Sequence, residues 1–482
     1  MERFVILGGG PCGLAAAWKL ARLGHAPIVL ERESLVGGLC ATHERDGYRF
    51  DLGGHRFVSS DADLSAWLEG LLGDDLLTRE RRSVVLHDGR TFRYPLEAAN
   101  LVQNLGVSEN LRALAGYARA RVSRAIAPRP ERSFEDWVVA RFGRPLYETF
   151  FGPYTRKLWG ISPKLISADW AAERITNLNL GDAALRLIGV PRPPIRTYAR
   201  RYLYPRRGMG QLYVSMAREV AHLGGEVRTD ARVVGLDFAG SRDGARVSAV
   251  HVQSPRGVER IPAREVFSTL PLPELVAFLR QAGSPRLTGT EGRHGMAPSL
   301  RFRSLVFLNL MLRRRDFSEN TWMYVASGAL RISRIQEPKR RSPSMAPEEH
   351  TSIMLEIPCD VGDGIWSATD PELLEVAREE LADLGFALDD VMGSFSLRVE
   401  HGYPIYHLDY ERDRQALLGE VDRIENLRTG GRQGLFRYVF MDTAMQMGLL
   451  AASEMAASQT TSRAIDALGR AGGLVESQAL TA

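Results

Sequence analysis

Two glycine-rich segments at opposite ends of the chain constrain its fold more than any other feature. The first, Gly8-Gly9-Gly10-Pro11-Cys12-Gly13, directly follows the apolar run Phe4-Val5-Ile6-Leu7. Such a run is typical of a strand buried on both faces, and with the glycines it predicts strand, turn and helix in succession. The second reads Gly-Arg-Gln-Gly-Leu-Phe-Arg-Tyr-Val-Phe-Met-Asp from Gly431 to Asp442. We expect the two segments to build one binding site together.

Each glycine of the first turn has a separate role in binding a dinucleotide. Gly8 allows the tight turn, Gly10 lets the backbone approach a pyrophosphate, and Gly13 lets the following helix pack closely on the strand. The N-terminus of that helix then faces the phosphates. A second strand, Pro27 to Leu30, ends at Glu31, whose carboxylate suits a ribose 2′-hydroxyl and disfavours a 2′-phosphate. A glycine triplet alone is as often only a turn, but the strand, helix and acid together favour a dinucleotide site.

Two further glycine pairs separate this chain from nicotinamide dehydrogenases, which do not need them. Gly37-Gly38 ends the segment Glu31-Arg32-Glu33-Ser34-Leu35-Val36-Gly37-Gly38, and Gly53-Gly54-His55 follows Phe50-Asp51-Leu52. With these pairs the chain resembles the flavoproteins that bind FAD through this fold, including amine oxidases, phytoene desaturases, protoporphyrinogen oxidases and UDP-galactopyranose mutases. The resemblance implies FAD as cofactor and an α/β fold, with a Rossmann-like FAD-binding domain, a discontinuous α+β substrate domain and a helical insertion.

The order of these patterns predicts a cofactor domain assembled from three segments, 1–75, 203–272 and 400–470. Residues 76–202 are expected to form a helical, arginine-rich layer, broken by the proline clusters at 127–130 and 190–194. Residues 273–399 are expected to form the sheet and helices of the substrate domain. There we predict strands over Leu305 to Met311 and Ser352 to Ile357 and a helix over Pro371 to Leu384.

The composition restricts the class of protein and its partners. The chain is 44% hydrophobic and 25% charged, and no run approaches the ~18 uncharged apolar residues of a membrane helix, so we predict a cytoplasmic protein without a membrane span. Cys12, Cys40 and Cys359 have neither metal-ligand nor disulfide spacing, and no metal is expected. The net charge of +4 includes arginine clusters at 119–132 and 192–207 and the run 339–341. An anionic ligand or partner and solvated loops both remain open, as does a homodimer, but no nucleic-acid reader motif is present.

Three internal segments resemble the helical substrate domain of the mutases. They are Phe134-Glu135-Asp136-Trp137, Phe150-Phe151-Gly152-Pro153-Tyr154-Thr155-Arg156-Lys157-Leu158-Trp159-Gly160 and Ala168-Asp169-Trp170-Ala171-Ala172-Glu173-Arg174. His401-Gly402-Tyr403-Pro404 and Ser352-Ile353-Met354-Leu355-Glu356 are similar to mutase segments as well. The C-terminal motif is closer to the mutases than to the amine oxidases, so the resemblance spans nearly the whole chain.

The resemblance to the mutases implies roles for individual residues in substrate binding and catalysis. Arg174 and Arg331 correspond to two arginines that clamp the substrate diphosphate, an anion suited to bidentate guanidinium. Tyr403 and Tyr438 correspond to tyrosines whose hydroxyls reach the same diphosphate. An aromatic side chain is more often plain core, and only its place in a matched motif favours a ligand role. The other implied residues are Trp159, the aromatic near the sugar and flavin, and the pocket tyrosines Tyr94 and Tyr324.

The same resemblance implies the residues that bind the cofactor. His55 corresponds to the histidine loop near flavin N5, where it would tune protonation or reduction; a structural histidine is the alternative. Arg432 is expected near the isoalloxazine or pyrophosphate, and Asp442 at the start of the final helix, where a simple N-cap would also explain it. The full set is Gly8, Gly10, Gly13, Glu31, Arg32, Gly38, Leu39, Gly54, His55, Val233, Arg432, Asp442 and Met445.

The resemblance further implies a redox-neutral mutase reaction on a nucleotide sugar that interconverts pyranose and furanose rings. In this reaction N5 of the reduced flavin attacks the anomeric carbon and the nucleoside diphosphate leaves. His55, Arg174, Arg331 and Trp159 would be the catalytic residues, and NADH or NADPH is a candidate reductant. The chain departs from uridine-binding mutases at Arg93-Tyr94-Pro95-Leu96-Glu97, where those enzymes tend to carry Tyr-Pro-Phe-Gln. Another nucleotide, such as a thymidine-linked deoxysugar, therefore becomes credible.

Two alternatives to a mutase remain open on the sequence. An oxidase or desaturase would remove hydride from an amine, carotenoid or tetrapyrrole and would need an apolar substrate tunnel. The other is a flavin-binding scaffold without turnover, against which the presence of Trp159 and His55 near the expected reactive face argues. Convergence of Arg174, Arg331, Tyr403 and Tyr438 near one face of the flavin would favour the anionic sugar nucleotide.

Overall fold

The computed structural model of the chain describes residues 3–94, 98–127, 129–174, 201–240, 245–281, 300–457 and 462–471. Its strands are β1 (Arg3–Leu7), β2 (Ile28–Leu30), β3 (Thr42–Arg45), β4 (Tyr48–Asp51), β5 (Leu76–Glu80), β6 (Ser83–His87), β7 (Arg90–Arg93), β8 (Arg201–Pro205), β9 (Glu226–Arg228), β10 (Arg232–Ala239), β11 (Arg246–Ser254), β12 (Gly257–Ser268), β13 (Phe302–Leu312), β14 (Trp322–Val325), β15 (Arg334–Gln336), β16 (Thr351–Cys359), β17 (Val391–Pro404) and β18 (Leu427–Thr429).

The helices lie between these strands and, in the middle of the chain, form a layer of their own. They are α1 (Pro11–Arg22), α2 (Ala62–Leu72), α3 (Ala98–Asn104), α4 (Val107–Ile126), α5 (Phe134–Phe142), α6 (Arg144–Leu146), α7 (Gly152–Trp159), α8 (Ala168–Arg174), α9 (Gly210–His222), α10 (Leu272–Gln281), α11 (Gly364–Ser367), α12 (Asp370–Asp383), α13 (Tyr410–Val421), α14 (Gly431–Gly434), α15 (Met441–Ala456) and α16 (Ser462–Ala471). A π-helical turn, Tyr147–Phe151, joins α6 to α7. Of the helices in the described ranges, none is both long and apolar enough to cross a membrane.

The first sheet confirms the strand, turn and helix predicted at the N-terminus. Strands β9, β2, β1, β12 and β18 run parallel in that order, and Val5 of β1 pairs with Ile28 of β2 and Val266 of β12. The long β12 also forms an antiparallel meander with β11 and β10. Because β1 is central in the sheet, its apolar run is buried on both faces. The glycine turn after it therefore sits at the carboxyl edge of the parallel strands, where α/β sheets bind ligands.

The second sheet has the order β17-β13-β16-β15-β14-β6-β7. Its strands β13 and β16 and the helix α12 match the predicted elements to within three residues at each end. Leu373, Ala377 and Leu381 of α12 pack against the apolar face of this sheet. The largely apolar sequences of β13 and β16 follow from burial on both faces of the sheet.

The helical layer needs correcting at its start, and the last cofactor segment at its beginning. The layer was expected from residue 76, but β6 and β7 form an antiparallel hairpin at the edge of the second sheet. Its turn is Asp88-Gly89, with φ of 46° and 72°, the pair of positive φ angles that a two-residue hairpin turn prefers. The cofactor segment was expected from residue 400, which lies inside β17 of the second sheet. The helical layer proper comprises α3 to α8.

Candidate active site

The glycine turn forms one wall of a cavity of about 390 Å³. Gly8 has a φ of 104°, and a Cβ atom there would lie 2.2 Å from Thr269 Oγ1. A Cβ atom on Gly13 would lie 2.0 Å from the Gly8 carbonyl oxygen, so α1 packs on β1 at a distance that only glycine permits. The cavity wall brings together nine of the predicted cofactor residues, which are Gly8, Gly10, Glu31, Arg32, Gly38, Leu39, His55, Val233 and Arg432.

Glu31 is held in place by backbone amides at the end of β2. Its two carboxylate oxygens accept hydrogen bonds from the Gly9 N–H at 2.7 Å and from the Glu33 N–H at 3.0 Å. Burial raises the pKa of Glu31, and these two hydrogen bonds oppose that effect. A carboxylate so oriented at the cavity wall is able to accept a hydrogen bond from a ribose hydroxyl.

A second cavity, of about 350 Å³, adjoins the first. Arg432, at the start of the short helix α14, lines both cavities. It donates from Nη2 to the Val439 carbonyl oxygen at 2.9 Å, and its guanidinium lies 4.3 Å from the centre of the Tyr438 ring. The other residues shared by the two walls are Leu39, Leu52, His55, Phe440 and Met441. A cofactor with a dinucleotide part in the first cavity can therefore extend its ring system towards the second.

His55 lies at the junction of the two cavities in its neutral form. Its Nε2 is 2.9 Å from the Leu52 carbonyl oxygen, which only accepts, so the proton is on Nε2. The Cys40 thiol is 3.9 Å from Nδ1. Burial lowers the pKa of His55 to about 3, and the positive charges of Arg432, Arg341 and Arg334 act in the same direction. This imidazole therefore offers a fixed neutral tautomer to the site and no exchangeable positive charge near neutral pH.

The two remaining C-terminal predictions have different outcomes. Asp442 lines the second cavity, and burial raises its pKa to about 6, partly offset by hydrogen bonds from Thr443 and Ser59. The N-cap of α15 is Phe440, so Asp442 lies one residue inside the helix, and a further helix, α16, follows. Met445 is fully buried in a core cluster with Leu14 and is not part of either cavity wall, because α15 turns this position towards α1 and α9.

Residues from three parts of the chain meet around the second cavity. The helical layer supplies Trp159, the second sheet supplies Tyr324 and Tyr403, the C-terminal motif supplies Tyr438, and β7 leads into Tyr94. Their aromatic rings form two contacting groups, one of Trp159, Tyr403 and Tyr438 and one of Tyr94 and Tyr324. Tyr403 stacks on Tyr438 at 5.7 Å between ring centres, Trp159 lies edge-on to Tyr403 at 5.9 Å, and Tyr94 lies 4.8 Å from Tyr324. All five aromatic residues predicted for the substrate site are thus brought together.

The predicted arginine clamp needs one correction. Arg331 does not line the cavity, because its side chain is 56% exposed and contacts Glu380. Arg334, three residues later on β15, lines the cavity instead. Its Nη2 donates to Glu356 at 3.0 Å and to the Tyr403 hydroxyl oxygen at 3.2 Å, and its guanidinium lies 5.6 Å from the Tyr324 ring centre. Arg174 ends α8, and its side chain lies outside what the structure describes.

The Tyr403 hydroxyl lies in a hydrogen-bond network at the wall of the second cavity. Its hydroxyl donates to Glu356 Oε1 at 3.0 Å while accepting from Arg334, so its single hydrogen is already committed. In this arrangement Tyr403 helps to hold the Arg334 guanidinium in place, and its predicted contact with a diphosphate stays a prediction. Burial raises the pKa of the Tyr403 hydroxyl well above its usual range, so it stays protonated at neutral pH.

Of the arginines and tyrosines that line the second cavity, sequence reasoning did not assign four: Arg56, Arg81, Tyr154 and Arg334. Arg56 directly follows the predicted His55, and Tyr154 lies in the same quoted motif as Trp159. The hairpin that was assigned to the helical layer starts just after Arg81. Recognising the Asp88-Gly89 turn would have placed Arg81 at the edge of the second sheet. Leu96 and Glu97, on which the expected base preference depends, lie outside the described residues.

Comparisons with known proteins agree with this architecture. The sequence model of the family described as flavin containing amine oxidoreductase matches residues 11–456. Protoporphyrinogen oxidase 1 of spinach, a chloroplastic protein, is 29% identical over 179 residues, which are 36% of this chain and 31% of the relative. The chain thus matches about a third of the length of that relative.

Solved structures show the same fold at low sequence identity. A reduced UDP-galactopyranose mutase superposes with a TM-score of 0.83 at 21% identity, covering 99% of each chain. Putrescine oxidase bound to putrescine superposes with a TM-score of 0.59 at 16% identity, covering 95% of this chain and 99% of the other. Because the family model covers most of the chain, and the glycine turn, Glu31 and Arg432 line a cavity suited to a dinucleotide, the protein belongs to the flavin-containing amine oxidoreductase family and its cofactor is FAD.

Proposed function

We propose that the chain is an FAD-dependent mutase whose substrate is a nucleoside-diphosphate sugar and whose reaction is a redox-neutral change of sugar ring size. The family supports FAD chemistry in general, and the contents of the second cavity support this particular substrate class. Four arginines line it, Arg56, Arg81, Arg334 and Arg432, against the single carboxylate of Asp442. An excess of guanidinium groups around a cavity favours an anionic ligand.

One observation carries the proposal: the cavity wall holds hydrogen-bond donors that have no acceptor. Trp159 is 2% exposed, and its Nε1–H has no partner among the described residues. Within the same ranges, no residue bonds to the hydroxyls of Tyr154 and Tyr324, whose rings lie 6.4 Å apart. Burial raises the pKa of Tyr154, so its hydroxyl remains a donor at neutral pH. Leaving a buried donor unpaired costs about 1–3 kcal/mol, which an acceptor-rich sugar diphosphate would offset and a hydrocarbon would not.

The protein side chains would bind the substrate and stabilise the diphosphate as it departs. When bound, the reduced flavin supplies nucleophilic chemistry at its isoalloxazine ring. Arg334, fixed by Glu356 and Tyr403, would neutralise the negative charge that grows on the diphosphate oxygens as the bond to the anomeric carbon breaks. Tyr154 and Tyr324 would donate to the same oxygens. Arg432 and the neutral His55 would orient the junction between cofactor and substrate without contributing a titrating proton near neutral pH.

An oxidase is the second candidate, and a specific observation favours it too. Besides its arginines, the cavity has an apolar wall formed by Phe134, Phe150, Phe151, Leu158, Leu305 and Phe307. Such a wall suits a large unsaturated substrate. The curated relatives with longer matches include protoporphyrinogen oxidases. This reaction would consume oxygen or another acceptor, whereas the mutase reaction leaves the substrate at the same oxidation level.

The test compares the oxidised and the dithionite-reduced protein with a panel of uridine and thymidine diphosphate sugars. We expect chromatography to show an isomer of the same mass only with reduced protein, and NADH or NADPH to replace dithionite. Oxidised protein with the same sugars is the matched control. No isomer from any sugar, together with rapid oxygen uptake on a tetrapyrrole or an amine, would replace the mutase with the oxidase.

A further inference from the structure

Helix α4 presents an apolar stripe to solvent, the reverse of the usual pattern for a surface helix. It runs from Val107 to Ile126, and none of its residues is buried. Five large apolar side chains on it are between 56% and 79% exposed. We call these five the α4 outer face: Val107, Leu111, Leu114, Val122 and Ile126.

Helical geometry places these residues on one side of α4. Their spacing of three or four residues, with Ala118 between Leu114 and Val122, keeps them within one stripe along the helix. The exposed residues Ala115 and Ala125 continue the same stripe. The stripe is therefore a continuous apolar surface rather than a scatter of single exposed side chains, which would need no explanation.

The opposite side of α4 packs against the protein, with a close backbone approach at Gly116. The less exposed positions are 110, 113, 116, 117 and 120. A Cβ atom on Gly116 would lie 2.5 Å from Pro145 Cδ, and one on Gly143 would lie 2.5 Å from the Gly116 carbonyl carbon. This close backbone approach fixes the orientation of α4, so the apolar stripe cannot rotate into the core.

Arginines flank the stripe on both sides. Helical geometry puts Arg112 and Arg119 along one edge and Arg121 along the other. Among the described residues, neither Arg112 nor Arg119 has an ion-pair or hydrogen-bond partner. Glu109, the single acid on α4, is already bonded to Arg90 at 2.7 Å and to the Gly106 N–H at 2.8 Å. The surface around the stripe is thus strongly cationic.

We propose that the α4 outer face docks on an anionic lipid surface. An apolar stripe with arginines along its edges lies in the interfacial plane of a bilayer, with the apolar side chains among the acyl chains and the guanidinium groups at the phosphates. A second copy of this chain fits less well, because pairing two such faces sets arginine rows against each other with no unpaired acid on α4 to offset them. Charge complementarity therefore selects the lipid phosphates.

The experiment measures sedimentation of the flavin-loaded full chain with vesicles of phosphatidylcholine alone or mixed with phosphatidylglycerol. We expect binding to the mixed vesicles, weaker binding to phosphatidylcholine alone, and loss of the difference at high salt. Leu111→Glu with Val122→Glu should weaken binding by about tenfold or more, because two carboxylates enter the interface. Arg112→Gln with Arg119→Gln should reduce the preference for the anionic vesicles by a similar factor.

Val258→Glu is the matched control, since Val258 on β12 is also 63% exposed but lies outside α4. It should bind vesicles like the unchanged protein. All variants change exposed side chains, and an unaltered flavin spectrum would show that they fold. The proposal is overturned if the unchanged protein stays in the supernatant with anionic vesicles, or if the α4 carboxylate variant binds them equally. It is also overturned, in favour of a second copy, if that variant converts a dimer into a monomer in light scattering while the unchanged protein ignores vesicles.

Discussion

Arg331 and Arg334 lie three residues apart, yet of the two only Arg334 lines the second cavity. The Arg331 side chain is 56% exposed and contacts Glu380, whereas the Arg334 side chain is 15% exposed and contacts Glu356 and Tyr403. Both backbone amides at 331 and 332 donate to the Glu380 carboxylate at 2.8 Å, which fixes the loop before β15. The first residue of the strand thereby points its guanidinium at the cavity.

The two arginines therefore provide a matched pair of variants. We expect Arg334→Lys to lower kcat/KM by about 100-fold. Lysine keeps the positive charge beside Glu356, but it lacks the planar guanidinium whose several N–H groups can bind an anion and Tyr403 at the same time. Arg331→Lys should stay within about twofold of the unchanged enzyme, since surface ion pairs contribute little. Steady-state kinetics on the isomerised sugar, with flavin content as the folding check, would decide. Equal losses in the two variants would contradict the assignment of Arg334 to the site.

The low pKa of His55 predicts how the stability of the protein depends on pH. Its pKa is about 3 in the folded protein and ~6.5 in an unfolded chain, so as pH falls the unfolded chain takes up this proton first. The stability contributed by neutral His55 is fully present above pH ~6.5 and is lost as pH falls towards about 3. Thermal denaturation of flavin-loaded His55→Asn should show a smaller fall in melting temperature across this pH range than the unchanged protein shows. The exposed His222→Asn serves as control for removing an imidazole, and parallel curves for all three proteins would contradict the prediction.

The parts of the fold with strong local signals could be predicted from sequence, because the signal and the structure arise from the same few residues. The run before Gly8 is apolar on every residue since β1 is central, and Gly8 and Gly13 meet contacts that a Cβ atom would forbid. The second sheet was predictable at β13 and β16 for the same reason. The hairpin at Asp88-Gly89 had a turn signal as well, but its flanking strands are short and rich in arginine, and they were assigned to the helical layer.

Residue roles in the site were harder to predict because they depend on which way a side chain points. Choosing between Arg331 and Arg334 requires knowing where β15 begins, and sequence cannot fix a strand end to within a residue. The run at 339–341 shows the same limit. Lys339 donates to the carbonyl oxygens of four loop residues and Arg341 is fully buried, so two of its three charges hold the fold together rather than forming a solvated loop.

Lys157 connects the helical layer to the second sheet through hydrogen bonds. Its ammonium group donates to the carbonyl oxygens of Val325 at 2.6 Å, Ser327 at 2.7 Å and Ile332 at 2.8 Å. Lys157→Met would leave these three acceptors without their partner, and we expect it to lower the free energy of unfolding by roughly 3 kcal/mol. Turnover should fall too, because α7 carries Trp159 and the loop from 325 leads to Arg334. Lys164→Met lies at an exposed position of the same layer and serves as the control. It should change the free energy of unfolding, measured with denaturant, by less than about 0.5 kcal/mol.

The packing of α15 on α1 gives the last prediction, through a glycine that neither cavity includes. A Cβ atom on Gly448 would lie 2.1 Å from the Cys12 carbonyl oxygen and 2.9 Å from the Ala16 nitrogen, so Gly448→Ala must push α15 away from α1. The two helices carry the C-terminal motif and the glycine turn, which line the cofactor cavity together. We therefore expect this variant to lose at least about 2 kcal/mol of stability and to be purified with less FAD than the unchanged protein, as measured by denaturant unfolding and flavin absorbance.

Gly419→Ala on α13 is the control, because its Cβ atom meets nothing within 4 Å, and alanine there should stabilise the helix by about 0.5–1 kcal/mol with unchanged FAD content. Full FAD occupancy in Gly448→Ala would show that the two ends of the chain can separate without opening the cofactor site.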